Sequence, residues 1–200
     1  VVTPSFEDVK ADKQAFAKAF RLQYDEQDPY YGHPIAQKHG DRYLIQNTPA
    51  LPLTQAQMDE IYTLPFTRTW HPRYDEKGGV PALSEVQFSL TSQRGCFGSC
   101  SFCAITNHQG RIIQNRSHES LIDEAKTMID MDNFKGYIHD VGGPTANFRH
   151  LACEKQAKFG ACRGKTCAAP IPCERLNTSH DDYLSLLRKL RKLKGVKKVF

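Results

Sequence analysis

The order of strand and helix signals after residue 80 constrains the fold of this 200-residue chain more than any other feature. Apolar residues alternate with polar ones at Val86, Phe88 and Leu90, which predicts a strand. The later segments predict a helix, a strand, a helix and a strand at residues 117–129, 137–141, 181–194 and 196–200. Parallel neighbours need a long connection, so strands separated by such helices pair in parallel. The pattern predicts an α/β fold, either the opening βα units of a partial (β/α) barrel or a small doubly wound sheet.

The N-terminal residues 1–80 carry a weaker pattern and form a mixed, proline-rich region. Helical spacing of apolar residues predicts a helix over 5–24 and a shorter one over 54–62. Glycine and proline punctuation near residue 80 predicts two regions, 1–80 and 81–200. The chain starts at Val1 and stops at Phe200 inside a predicted third strand, so we expect a fragment of a longer protein.

Composition indicates a folded, water-soluble protein with a mild basic bias. Hydrophobic residues make up 40% of the chain, and 27 Lys and Arg outnumber 22 Asp and Glu. No apolar run reaches the roughly 18 residues that a membrane span needs, and the first residues lack a signal-peptide pattern. The basic residues concentrate late in the chain, at Arg188, Lys189, Arg191, Lys192, Lys194, Lys197 and Lys198. Their helical spacing favours a solvated helix face over a nucleic-acid-binding patch.

The seven cysteines fall into two groups, one of three and one of four. An odd number argues against a closed disulfide framework, whereas this division suits metal binding. Thiolates that bind iron need a reducing compartment, which predicts a cytoplasmic protein.

The first group, Cys96, Cys100 and Cys103, follows the first predicted strand of the α/β region. Gly95 and Gly98 allow the backbone to curl around a compact object. Iron–sulfur cubanes usually take four cysteine thiolates, so three would leave one iron of a [4Fe–4S] cluster open for a ligand. The alternatives are three buried cysteines or a zinc knuckle.

The spacing Cys-x3-Cys-x2-Cys, with Phe102 before the last cysteine, resembles the signature of radical S-adenosylmethionine (SAM) enzymes. Longer segments resemble the YgiQ family of radical SAM proteins, at residues 1–21, 39–43, 50–53, 110–117 and 139–147. This resemblance implies a family-specific N-terminal region followed by the start of the radical SAM core, a partial (β/α) barrel.

The resemblance also implies an enzyme that holds a [4Fe–4S] cluster and SAM. In that superfamily the reduced cluster cleaves SAM, and the resulting 5′-deoxyadenosyl radical takes a hydrogen atom from the substrate. The family's substrate is undefined, and a reductant such as flavodoxin or ferredoxin is implied. The rival hypothesis is a zinc-stabilised nucleic-acid-binding module without catalysis.

SAM contacts are expected at the turn after the second strand of the core, where the superfamily has a Gly-Gly-Glu-like sequence. Gly142 and Gly143 occupy that place, but Pro144 stands where the acid would be, so backbone carbonyls or Asp140 take its role. Phe102, beside the last cysteine, is a further cofactor-binding candidate. Three basic residues after the cysteine loop are candidates for a SAM or substrate carboxylate: His108, Arg111 and Arg116.

The second cysteine group lies in a connection between Gly142 and His180 that is much longer than an ordinary βα loop. It contains Cys153, Cys162, Cys167 and Cys173. Four thiolates suffice for a second metal site, either structural zinc or an auxiliary iron–sulfur cluster. Free or transiently disulfide-bonded thiols are the alternative.

Overall fold

The computed structural model describes residues 1–143 and 147–200 of the chain. Its contacts divide the chain into two compact units. The first contains Val1–Pro52, Gly95–Ile113 and Leu151–Asn177, and the second contains Leu53–Arg94, Gln114–His150 and Thr178–Phe200. The predicted sequence domains, 1–80 and 81–200, stay a prediction.

The elements are short and mixed. In chain order, the helices are α1 (Phe6–Ala11), α2 (Lys13–Asp25), α3 (Gln55–Tyr62), α4 (Leu83–Val86), α5 (Ile105–Gln109), α6 (His118–Ile129), α7 (Gln156–Phe159) and α8 (Asp181–Arg191), with a 3-10 helix at Pro72–Lys77. The strands are β1 (Ile35–His39), β2 (Arg42–Gln46), β3 (Ser89–Thr91), β4 (Gln93–Arg94), β5 (Gln114–Asn115), β6 (Tyr137–Ile138), β7 (Asp140–Gly142) and β8 (Lys198–Val199). No helix of the described residues is long and apolar enough to cross a membrane.

The second unit contains the parallel pairing that the sequence predicts. Strand β3 pairs in parallel with β7, and β6 pairs in parallel with β8. His139 separates β6 from β7, and its N–H donates to the Phe88 carbonyl at 3.0 Å. Residues 137–142 therefore form a central strand between the other two. The α/β class and the parallel pairing are confirmed, and the strands of the described residues form no closed barrel.

The core of this unit lies between the strands and the two crossover helices. Leu121, Ala125 and Met128 of α6 and Leu186 and Leu190 of α8 are all fully buried. They pack in one cluster with apolar strand residues Leu90, Ile138 and Val141. The apolar stripes predicted from sequence are thus the faces that these helices bury. Because both helices join one cluster, they cover the same face of the strands.

Two predicted elements need correction. Val86 belongs to the short helix α4 rather than to a strand, and the strand begins only at Ser89. The predicted helix over 5–24 is two helices, because Asp12 is extended at φ −129°. The Asp12 carboxylate accepts from the N–H groups of Gln14 and Ala15 at 3.1 and 3.0 Å, which caps α2. Local capping therefore starts a second helix where apolar spacing alone suggests continuity.

Two buried arginines hold the end of strand β3 in place. Arg149 donates to the carbonyls of Ser92 and Arg116 at 3.0 and 2.9 Å and to the Asp182 carboxylate at 2.8 Å. Arg116 donates to the Thr91 carbonyl at 3.1 Å. A guanidinium presents several donors in a fixed fork, so one side chain can satisfy several main-chain acceptors.

Replacing Leu190 by Ala should destabilise the full-length protein by about 2–5 kcal/mol, because the removed atoms leave a cavity in the core. Leu184→Ala in the same helix is the matched control, since its side chain is 43% exposed whereas Leu190 is 0% exposed. Urea unfolding followed by circular dichroism measures both. Equal losses from the two variants would contradict the packing of α8 described above.

Candidate metal centre

In the first unit, the two ends of the cysteine loop are held together at a neck formed by Gly95 and Cys96 on one side and residues 109–112 on the other. Gly95 has φ +84°, and a Cβ at this position would lie 2.2 Å from the Ile112 carbonyl oxygen, so only glycine fits. The Cys96 N–H donates to the Gly110 carbonyl at 3.0 Å, and the Gly95 N–H donates to Gln109 Oε1 at 3.0 Å. These contacts fix where the chain enters and leaves the loop.

Two of the three predicted ligands approach the same glycine. A Cβ on Gly98 would lie 3.3 Å from Cys96 Sγ and 3.7 Å from Cys100 Sγ. The Gly98 N–H donates to Cys96 Sγ at 3.4 Å, and the Cys103 N–H donates to the Cys100 carbonyl at 3.0 Å. The space beside the two sulfurs is thus kept free of a side chain. Three thiol donors on one curled loop have the chemistry that an iron–sulfur cluster takes, so these residues fit such a group.

The side chains do not form a complete coordination shell. Within residues 1–143 and 147–200, no group of three or more His, Cys, Asp or Glu side chains is arranged as a metal site. Cys96 is buried, Cys103 is partly buried and Cys100 is exposed, and all three are free thiols. Iron ligation by the three cysteines therefore stays a prediction.

Residues that sequence reasoning missed support the loop. Phe97 is fully buried, and Thr106 Oγ1 donates to the Cys96 carbonyl at 3.2 Å. Tyr24, from α2, donates its hydroxyl hydrogen to Ser99 Oγ at 3.1 Å. In the sequence, only the apolar character of Phe97 indicates such a supporting role. The contact between Tyr24 and Ser99 has no sequence signal, because the two residues lie 75 positions apart. Phe102, predicted to bind cofactor, is 91% exposed.

The Gly-Gly turn lies in the second unit, at the carboxyl end of β7. The Gly142 carbonyl accepts from the Ser92 N–H at 2.9 Å. A Cβ on Gly142 would lie 2.5 Å from Asn147 Oδ1 and 3.6 Å from Asp140 Oδ1. A side chain at this position would have to displace the exposed side chain of Asn147. Gly143 is partly buried, and Pro144 lies outside the described residues.

The three basic candidates differ in what they contact. The Arg116 side chain is 0% exposed, donates to Ser120 Oγ at 2.8 Å and pairs with the Glu124 carboxylate, so it has a structural role here. Burial lowers the pKa of Arg116 to about 10, which leaves the group charged at neutral pH. His108 is exposed at the end of α5.

Arg111 supports the second cysteine group. Its guanidinium donates to the carbonyls of Cys162 and Lys165 at 2.9 and 2.8 Å. The pKa of the Cys167 thiol is raised, mainly by burial and further by Cys153 and Cys162, while the Arg111 guanidinium opposes this shift without reversing it. Cys153, Cys162 and Cys167 therefore share one electrostatic neighbourhood with Arg111.

Comparison with known proteins gives two kinds of match. The family described as Radical SAM N-terminal matches residues 1–89. The UPF0313 proteins of Clostridium botulinum (strain Okra) and Clostridium perfringens (strain SM101) are 58% and 52% identical over 197 and 200 residues.

These alignments include 98% and 100% of the chain but only 31% and 30% of the two relatives. The chain thus spans about a third of the length of the curated relatives it matches. The aligned residues extend past the N-terminal match and include both cysteine groups. Over nearly the whole chain, these matches support a fragment of a UPF0313 protein, from the YgiQ family of radical SAM proteins.

Proposed function

We propose that the full-length protein is a radical SAM enzyme and that this chain provides its N-terminal region and the opening of its catalytic core. The observation that carries the proposal is the glycine-necked loop that bears Cys96, Cys100 and Cys103. Family membership supports it independently, because the N-terminal region matches that of radical SAM proteins. The substrate remains to be identified.

In this proposal the three thiolates bind three irons of a [4Fe–4S] cluster and leave the fourth iron without a protein ligand. When bound, the cluster supplies the electron that cleaves SAM to methionine and a 5′-deoxyadenosyl radical, which takes a hydrogen atom from the substrate. Gly98 keeps the space beside Cys96 Sγ and Cys100 Sγ open. Gly95 holds the neck of the loop closed, which limits the movement of the ligands.

The Gly142–Gly143 turn is proposed to meet the methionine part of SAM through its backbone. Support comes from its position at the carboxyl end of a parallel strand, where ligands of α/β folds bind. Asp140, exposed beside Gly142, is the nearby carboxylate that can meet an amino group. Phe102, whose ring is 91% exposed, is available to cover a bound cofactor.

The remaining parts of the proposal concern the whole protein. Three parallel strands with both crossover helices on one face are what the opening units of a partial (β/α) barrel require. The enzyme needs an electron donor, for which a flavodoxin or ferredoxin is proposed. Free thiols destined for iron favour a reducing compartment such as the cytoplasm.

Reductive SAM cleavage tests the proposal directly. Anaerobically reconstituted full-length protein, reduced with dithionite, should convert SAM to 5′-deoxyadenosine, which chromatography quantifies. Cys100→Ala should reduce the product to background, because the cluster loses a ligand. Ser101→Ala, an exposed neighbour in the same loop, should retain cleavage. A wild-type protein that carries a full cluster and makes no 5′-deoxyadenosine contradicts the proposal, as does zinc without iron together with salt-sensitive RNA binding.

A pair of variants tests the role of the glycine turn. Gly142→Ala should weaken binding of labelled SAM by at least about tenfold, or 1.4 kcal/mol, while the iron content stays unchanged. The added methyl group also meets Asn147 Oδ1, so the double variant with Asn147→Ala separates the two causes. If the double variant binds SAM like the wild type, the effect is a clash with Asn147 and the proposed SAM contact is wrong. Equilibrium dialysis measures the affinities.

A further inference from the structure

The segment Leu151–Asn177 is folded without a hydrophobic core of its own. Its two ends are joined, because the Asn177 N–H donates to the Ala152 carbonyl at 2.8 Å. Of its bulky apolar side chains, Phe159 and Ile171 are 64% and 79% exposed, and Leu151 and Leu176 are only partly buried. The buried apolar residues of this segment are the small Ala152 and Ala161. Hydrophobic burial therefore contributes little to its order.

Polar contacts attach this segment to the rest of the first unit. The Ala161 N–H donates to Asp28 Oδ2 at 2.7 Å, and Arg163 donates to both Glu26 carboxylate oxygens at 3.0 Å. Arg111 adds the two bonds to main-chain carbonyls described above. These anchors fix a few points of the segment, and hydrogen bonds within the segment, such as that from the Leu176 N–H to the Cys173 carbonyl at 2.8 Å, add local order.

Two cationic side chains lie beside the cysteines of this segment. The Lys155 ammonium is 3.4 Å from Cys162 Sγ, and the Arg111 guanidinium donates to the main-chain carbonyl of Cys162 at 2.9 Å. The Cys173 N–H donates to the Cys167 carbonyl at 2.9 Å, which keeps the fourth cysteine next to the third. The positive charges of Lys155 and Arg111 can offset the negative charge of metal-bound sulfurs.

Two buried donors near this group have no acceptor among the residues that the structure describes. They are Arg111 Nε and Gln156 Nε2. Arg111 is only 6% exposed and Gln156 only 2% exposed, so water is a poor substitute. A buried donor without a partner destabilises the folded state. Metal-bound thiolate sulfurs are acceptors that would satisfy such donors.

We infer that Cys153, Cys162, Cys167 and Cys173 bind one zinc ion, which stabilises the segment Leu151–Asn177. Four thiolates complete a tetrahedral shell, as in structural zinc sites. Zinc with four thiolates carries a net charge of about −2, which the charges of Lys155 and Arg111 offset. Binding releases the thiol protons and requires the sulfurs to close in, because the described residues do not yet form such a shell.

Metal analysis of the full-length protein, purified anaerobically without chelator, tests the inference. Elemental analysis by mass spectrometry should find about one zinc per chain in the wild type. Cys167→Ser should lose that zinc and retain the iron, and Cys100→Ala should lose iron and retain zinc. Because each variant should lose one metal and keep the other, the two measurements test the zinc site and the proposed iron–sulfur enzyme separately. Iron lost from Cys167→Ser instead of zinc overturns the inference.

A second measurement uses the wild-type protein and does not depend on how a variant folds. Iodoacetamide labelling, read by peptide mass spectrometry, should leave Cys153, Cys162, Cys167 and Cys173 unmodified until a zinc chelator is added. All four should then react together, because one ion protects them. Labelling of these cysteines that is the same with and without chelator, or disulfides among them in freshly isolated protein, overturns the inference.

Discussion

The end of strand β3 depends on main-chain carbonyls being satisfied by buried guanidinium groups. The Arg116 side chain donates to the Thr91 carbonyl there. The Arg149 side chain donates to the main-chain carbonyls of Ser92 and Arg116. Buried carbonyls without a partner are costly, so these bonds are a condition for the strand to end here. The carboxylates of Glu124 and Asp182 pair with the two buried guanidinium groups, and Glu124 also pairs with Arg68. The turn at Gly142 is tied to the same place, because its carbonyl accepts from Ser92.

Elements with local causes were predictable from sequence, and elements with distant causes were not. Helix α6 was predicted because its N-cap Ser117 and its apolar stripe lie within one short segment. The prediction that Val86 lies in a strand is wrong. Alternation of three apolar residues with polar ones does not distinguish a strand from a short helical turn that precedes a strand. No sequence signal pairs Arg149 with Ser92, 57 residues earlier in the chain.

The candidate site shows the same division. Cysteine spacing predicts iron–sulfur chemistry for the loop, which stays a prediction. The reasons for its glycines appear only in the fold: a close carbonyl at Gly95 and two sulfurs at Gly98. From its position after the cysteine loop, the sequence predicts that Arg111 binds a carboxylate of SAM or of the substrate. Its guanidinium instead binds carbonyls more than 50 residues later in the chain, a partner that sequence proximity cannot reveal.

The number of thiols in each group sets what the group can do. Three thiolates on a cubane leave a position for a reacting molecule, whereas four around zinc leave none. Both cysteine groups belong to the first unit. Tyr24 of α2 contacts residues that support each group: its hydroxyl donates to Ser99, and its ring centroid lies 5.8 Å from the Arg111 guanidinium. A redox-inert ion in the closed group would hold Arg111, and through it Tyr24, without competing for electrons. The loop of Cys96, Cys100 and Cys103 would then keep its support while its thiolates hold the proposed cluster.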